Sequence, residues 1–360
     1  MQAKTRLFTT AMFLALILGL GGPGPSHAEE IGEIYQRVKA SVVVVITEQQ
    51  EVDRATARGL VSIGGLGSGV LVSRDGKVLT AAHVVQTAET ILVQMLSGET
   101  IPARVIASEP AADVALLQLE TTPAIAQVAP IGDSDSVDVG DQIFVVGAPL
   151  GNSHSLTVGH ISARRMENDE VYGGMLPTEM FQTDAAINEG NSGGPMFNLE
   201  GEVIGIVSYI LSHGGGFEGL GFVITSNMAR ELLLDQRSMW SGLQGYLLRD
   251  DLAKLFNIPQ EAGLLVQHVA KNSPAWNLGL RGGNIRAVIG DVELVLGGDV
   301  ILETQGLSVG DPKTDIEIRA RLRALEPGEP LRLKVLRNGK LIEMEHHLSE
   351  QDFPPDPAGS

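Results

Sequence analysis

Three polar residues stand where acyl-transfer chemistry could be done: His83 in "TAAHVV", Asp113 in "AADVALLQL" and Ser192 in "GNSGGP". A serine hydroxyl is a weak nucleophile unless a base takes its proton. A third group must hold that base in the right tautomer, and backbone N–H donors must meet the oxyanion that forms. Each residue alone has a plainer reading. A histidine ending an apolar strand is usually a satisfied structural residue, and an aspartate opening a strand is usually a turn or cap. In a chain with 43 glycines, Ser-Gly-Gly usually marks a turn. Taken together they gain weight. His, Asp and Ser follow one of the known chain orders of the triad, and Gly190 and Gly193 give the serine loop the freedom a sharp, exposed turn needs. None of the other histidines (His27, His154, His160, His213, His268, His346, His347) has such a setting.

These residues must be positioned by strands. "SVVVVIT", "GSGVLVS", "KVLTAAHVV", "TILVQML", "DVALLQLE" and "DQIFVVGAP" are short, rich in β-branched residues and punctuated by Gly, Asp and Pro, the pattern of a barrel or sandwich. "TSNMARELLLDQ" (225–236) reads as a closing helix capped by Ser226. Residues 237–242 read as a connector. From residue 243 to 348 the pattern changes to several strands around one main helix, opened by Thr314 and Glu317 at capping-box spacing. The Pro-rich tail 349–360 reads as disordered. Residues 29–40 carry Ile31, Ile34, Tyr35 and Val38 on one helical stripe.

Composition bounds the rest. In 360 residues, 43% are hydrophobic and 19% charged, enough for packed cores of two or so domains. Aromatics are only 4%, so those cores rest on aliphatic side chains. A net charge of −18 disfavours nucleic acid and anionic lipid. The absence of cysteine excludes thiol catalysis, disulfides and Cys-type zinc sites. "DSDSVDVGD" (133–141) lacks the bidentate Glu of a calcium loop and reads as structural. No metal or cofactor is expected. Lys4 and Arg6, the apolar run from Leu7 to Leu20 and "SHA" ending at Ala28 read as an export signal over 1–28. An uncleaved membrane anchor is the alternative.

The three blocks, with "GSGVLVSRDGKVLTAAHVV" and "IGDSDSVDVGDQIFVVGAPLG", resemble the HtrA/Deg family of trypsin-like serine proteases. The resemblance runs over about residues 31–348. It implies a mostly β fold: a two-barrel chymotrypsin-like protease domain (29–236, including an N-terminal oligomerisation segment), then a small α+β PDZ domain (243–348). It implies His83 as general base, Asp113 as its orienting partner, Ser192 as nucleophile, and the N–H groups of Gly190 and Ser192 as the oxyanion hole. Ala186 and Ile187 fall at the base of the first specificity pocket, which implies a shallow apolar site for small aliphatic side chains. The loop 212–221 is expected beside that pocket. In the PDZ domain, Gly242, Leu243, Gly245 and Tyr246 are the candidate peptide-binding loop, although "GLQGYL" fits the usual pattern loosely and residues 279–302 run long. The expected partners are unfolded or misfolded polypeptides, peptide C-termini and further copies of the chain in a homotrimer, or a multiple of it, built on residues 29–40. The expected role is an exported, periplasmic endopeptidase. The alternatives are a narrow PDZ-gated regulatory protease, and a chaperone or scaffold in which binding outweighs hydrolysis.

Overall fold

The computed structural model describes residues 27–123, 127–148, 154–168, 176–212, 216–236 and 238–353. The export signal before residue 27 and the tail beyond residue 353 lie outside these. A helix α1 (His27–Val38) leads into β1 (Val42–Val52), β2 (Leu60–Leu71) and β3 (Lys77–Thr80). A single turn, α2 (Ala82–Val85), then precedes β4 (Ala88–Gln94), β5 (Thr100–Glu109) and β6 (Val114–Leu119). These six strands close into a barrel in the order β1-β2-β3-β6-β5-β4. A second barrel follows, from β7 (Gln142–Gly147), β8 (Ser155–Asn168), β9 (Pro177–Thr183), β10 (Pro195–Phe197), β11 (Val203–Ile210) and β12 (Gly221–Thr225), in the order β10-β11-β12-β9-β8-β7.

Each barrel is filled by its own aliphatic core, the first around Val45, Leu71, Val93 and Leu117, the second around Ile143, Ile161, Ile204 and Val223. A third cluster seals the seam between them. It joins Val70, Leu79 and Leu116 to Phe144, Met180, Phe197 and Phe222, with Phe144 and Phe197 stacked at 5.2 Å. Three phenylalanines, Phe144, Phe197 and Phe222, thus lie on the seam, where large rings bridge two curved surfaces.

α1 belongs to that seam. Ile31, Ile34 and Val38 are buried, and Ile34 and Val38 lie over Gly201 in the β10–β11 turn. Tyr35 is partly buried and donates its hydroxyl to the carbonyl of His154 at 2.6 Å. The stripe expected to join copies is therefore seated on its own barrels, the commoner fate of an amphipathic helix. The closing helix is shorter than expected. α3 (Ser226–Arg230) passes into a π-helical turn at Glu231–Asp235. Ser226 does not cap it: its hydroxyl donates to the carbonyl of Gly132, and Thr225 holds the cap position. The acidic stretch shapes its own loop, Asp133 accepting from the N–H of Asp135 and from Asn227.

The third unit contains β13 (Leu243–Arg249), α4 (Asp250–Leu255), β14 (Ala262–Val269), α5 (Pro274–Leu278), β15 (Ile285–Ile289), β16 (Val292–Leu296), β17 (Val300–Thr304), β18 (Leu307–Ser308), α6 (Pro312–Arg323), β19 (Pro330–Arg337) and β20 (Lys340–His347). Its main sheet runs β13-β14-β17-β19-β20, which leaves β13 on an edge. The long stretch 279–302 holds the separate hairpin β15–β16. α6 starts earlier than the Thr314–Glu317 spacing suggests: Asp311 caps it, accepting from the N–H groups of Lys313 and Thr314, with Pro312 in the first turn. The first residues of the tail are folded. Ser349 and Asp352 form a capping box, and Phe353 is buried against the core of this unit, an anchor a Pro-rich composition hides.

Candidate active site

β3 ends at Thr80, and the single turn α2 presents His83 at the mouth of the seam. A 3-10 turn at Pro110–Ala112 brings Asp113 opposite it in a left-handed conformation (φ 51°), which aspartate tolerates better than most residues. The Asp113 carboxylate is gripped from three directions. The His83 backbone N–H donates to Oδ1 at 2.9 Å. The ring Nδ1 lies 2.8 Å from Oδ2 and 3.0 Å from Oδ1. The Ser208 hydroxyl also donates to Oδ2. A carboxylate on Nδ1 selects the tautomer with its proton there and leaves Nε2 as an acceptor. Burial works against a charged His83 ring, yet the charge of Asp113 and its hydrogen bond outweigh that and raise the His83 pKa above the usual value. The ring is half exposed (51%) while Asp113 is 21% exposed, the arrangement of a solvent-facing base on a sheltered support.

The serine loop is braced from the first barrel. Ser68 is fully buried. Its hydroxyl donates to the carbonyl of Gly190 at 2.6 Å and accepts from the N–H of Ala148, and its own N–H donates to the carbonyl of Ser192 at 2.8 Å. Gly193, at φ +82°, lies so close to this brace that a Cβ would strike Thr80 Oγ1 and the carbonyl of Ser68. Within the loop, the N–H of Asn191 donates to Asn188 and that of Gly193 to Val207. Among the described residues, the N–H groups of Gly190 and Ser192 donate to no acceptor. The Ser192 hydroxyl donates to the carbonyl of Ser208 at 3.3 Å, and no hydrogen bond joins it to His83. Ser208 and Ser68 are participants that sequence reasoning missed. The position of Ser68 inside the quoted "GSGVLVS" was the one available cue; Ser208, inside apolar β11, gave none.

Ala186 and Ile187 occupy the turn before the serine loop. Ala186 is half-buried. Ile187 is 2% exposed and packs into the second barrel, its Cδ1 so near Gly221 that a Cβ there would lie 2.6 Å away. Phe217 packs against the same core. Of the loop expected beside this pocket, residues 213–215 lie outside the described residues.

In the third unit only Gly242 (φ +68°) keeps turn geometry. Leu243, Gly245 and Tyr246 lie in β13, so the expected loop is a strand. The two-residue repeat of β13 places Leu243 and Leu247 on a cavity of about 290 Å³ facing α6, while Tyr246 packs on the second cluster of the unit; the register shift opposite Gln244/Gly245 leaves Gln267 of β14 as the extra residue. Residues 108–110 and the connector complete the cavity wall. The connector itself is tied down. Ser238 donates to the carbonyl of Ser108, and the Trp240 indole donates to the carbonyl of Gln86. Buried Gln86, next after α2, donates to the carbonyl of Leu243 at 2.8 Å and accepts from the Ser108 hydroxyl at 2.7 Å. Glu109, four residues before Asp113, pairs with Arg319 of α6. Among the described residues no group of three or more His, Cys, Asp or Glu is placed to hold a metal ion.

Residues 67–206 match the trypsin-like peptidase domain family, and residues 246–348 match the PDZ domain family. The chain is 38% identical over 288 residues to the periplasmic pH-dependent serine endoprotease DegQ of Escherichia coli K12, an alignment covering 78% of this chain and 58% of that protein. It is 32% identical over 384 residues to a probable periplasmic serine endoprotease DegP-like of Pseudomonas putida F1, covering 93% of this chain and 74% of that one. Among solved structures, the HtrA-type protease AlgW with tripeptide superposes with a TM-score of 0.50 at 28% identity, covering 93% of this chain and 99% of that chain. The chain spans a little over half the length of several of these curated relatives.

Proposed function

We propose that this chain, which belongs to the HtrA/Deg family of trypsin-like serine proteases, is an exported, periplasmic endopeptidase that cleaves unfolded or misfolded envelope polypeptides by acyl transfer. The observation that carries the reading is the cluster at the barrel seam: His83 fixed by Asp113, with the Ser192 loop braced beside it by Ser68. In the reaction, Ser192 Oγ leaves the carbonyl of Ser208 by rotation about its Cα–Cβ bond and gives its proton to His83 Nε2. Such contacts are commonly loose before substrate binds. Asp113 stabilises the imidazolium that results. The free N–H groups of Gly190 and Ser192 receive the oxyanion; one such donor contributes about 2.7–4 kcal/mol to the transition state. Ala186 and Ile187 leave a shallow apolar first pocket, so cleavage follows small aliphatic residues rather than Lys or Arg. The edge of β13 with α6 takes a polypeptide by strand addition.

Digestion of casein by the chain lacking residues 1–28, with and without Ser192→Ala, tests the reading. Loss of cleavage in the variant with its fold intact is the expected result; equal cleavage by both would falsify it. Mass spectrometry of the fragments reads the pocket, and a majority of cuts after Lys or Arg would remove that part.

A second reading, a narrower protease gated by its PDZ domain, is favoured by one observation. Gln86 and Glu109 join that domain to the segments carrying His83 and Asp113. The family resemblance further supports assembly as a homotrimer. With Ile31, Ile34 and Val38 used internally, the contact must use other surfaces, and light scattering of the mature chain measures it directly.

A further inference from the structure

Charge is divided unevenly along the chain. Residues 166–229 carry nine acidic residues and no lysine or arginine. This one segment supplies β9 to β12, the serine loop and the turn that holds Ala186 and Ile187. Three of its acids are engaged within the fold. Glu179 pairs with Arg164 at 2.9 Å, Asp184 accepts from the backbone N–H of His160 at 2.6 Å, and Glu202 accepts from the Asn198 amide at 3.0 Å. Glu189 is different. It is exposed, and among the described residues no hydrogen bond or ion pair engages its carboxylate.

Its position is nonetheless fixed. The N–H of Asn191 donates to the carbonyl of Asn188 at 3.0 Å, which closes a turn with Glu189 and Gly190 at its two corners. Gly190 takes φ +96°, the positive value that the second corner of a type II turn requires. Ser68 holds the Gly190 carbonyl at 2.6 Å, and Gly190 and Asn191 are buried, so the turn cannot swing and Glu189 is its outer corner. Glu189 therefore stands one peptide unit from the Gly190 N–H, three residues before Ser192 and two after Ile187. A polypeptide whose scissile carbonyl reaches that N–H brings the side chains next to the cleaved residue past Glu189. An exposed carboxylate in a segment without a cation attracts one from whatever binds beside it. The same charge opposes the oxyanion that forms at the Gly190 N–H, and a cation carried by the substrate offsets it.

We infer that Glu189 is a specificity-determining residue, selecting polypeptide segments in which a lysine or arginine flanks the small aliphatic residue after which the chain cuts. The inference rests on the proposed endopeptidase activity and adds the chemical class of its substrate, a cationic unfolded segment. The basic residue is a neighbour of the cleaved residue and not the cleaved residue itself, because Ala186 and Ile187 offer it no acid.

The test maps cut sites by mass spectrometry in a mixed library of unstructured peptides, with the chain lacking residues 1–28 as parent and with its Glu189→Gln and Glu189→Lys variants. The parent should show lysine and arginine enriched at one of the positions flanking the cut residue, and the library identifies which. Glu189→Gln should lose the enrichment, and Glu189→Lys should turn it toward aspartate and glutamate. Glu200→Gln, which removes an exposed acid from the β10–β11 turn of the same segment, should keep it. The most frequent cut sequence, made as a quenched fluorescent peptide, gives the size of the effect. Replacing its flanking lysine by glutamine should lower kcat/KM about three- to fivefold, the upper range for one exposed ion pair, and replacing it by glutamate about tenfold. Raising salt from about 0.05 to 0.5 M should shrink both differences. Cleavage with no charge preference, or a preference that Glu189→Gln leaves in place, would overturn the inference while leaving the protease. Absence of all cleavage, of casein as well as the library, would overturn the proposed activity and this inference with it.

Discussion

Where the two barrels meet, Phe144 stacks on Phe197 and buried Leu79, Leu116, Met180 and Phe222 close around them. Where the third unit meets the first barrel, polar contacts join them: Gln86 to Leu243, Glu109 to Arg319, Lys271 to Glu89 at 2.8 Å. Backbone pairing of Ala57, Arg58 and Gly59 with β15 and Asn284 adds to them. Both seams lie next to His83 and Asp113, yet they differ in kind. An apolar seam loses its hydration once and repacks poorly, so it holds His83, Asp113 and Ser192 in one geometry. A polar seam exchanges its hydrogen bonds with water at small net cost, so it can open and close. On the proposed reading, the rigid seam supports the chemistry, and the exchangeable one would give the third unit a means to act on it.

The largest expected effect comes from the polar centre of the rigid seam. Asp113→Asn keeps its size but removes the charge that fixes and stabilises the His83 ring, and kcat should fall about 10⁴-fold. The same substitution tests the raised His83 pKa. Activity needs the neutral ring, so in the parent the acidic limb of kcat/KM lies above the ordinary histidine value. Without the Asp113 charge only burial remains, and the limb should move to lower pH. A limb that stays in place would separate Asp113 from the titration of His83.

Phe197→Ala probes the apolar part of the same seam. The ring is fully buried, and its loss should cost about 3–5 kcal/mol of stability, read as a lower denaturation midpoint. If the midpoint of the third unit alone moved, the two seams would not be distinct. The smallest effect is expected at the polar seam. Gln86→Ala leaves the Leu243 carbonyl and the Ser108 hydroxyl without their partner, at about 1–3 kcal/mol. Calorimetry should then show the third unit melting apart from the barrels, and a single unshifted transition would contradict the comparison.

The rigid seam was also the more legible in sequence. His83, Asp113 and Ser192 each carry a local mark, a strand end, a strand head and a glycine turn, and their order made the marks add. The short β-branched runs gave strands but left barrel and sandwich open, and the two-barrel form came from the family resemblance. The ties of the second seam carry no such mark. Gln86 looks like any polar residue after a helix turn, and Glu109 like the end of a strand. Leu243 and Tyr246 were placed in a loop because glycines surround them, and only the pairing of this stretch with β14 makes it a strand whose alternation assigns their faces. The α1 stripe shows why period alone falls short: a 3.6-residue repeat requires burial, but whether the surface is its own chain or another's depends on where Gly201 lies in space. Ser208 reaches Asp113 from β11, a contact between residues far apart in the chain that no local pattern encodes.

The central claim, that Ser192 is activated by His83 at the barrel seam, is most directly tested by covalent labelling. Diisopropyl fluorophosphate reacts with an activated serine hydroxyl, expelling fluoride and leaving a phosphoester of known mass. Treatment of the chain lacking residues 1–28 followed by peptide mass spectrometry should place one adduct on the peptide containing Ser192. The adduct should be absent from Ser192→Ala, strongly reduced in His83→Ala, and matched by loss of casein cleavage. Casein cleavage that persists without labelling of Ser192, or labelling that does not depend on His83, would contradict the account.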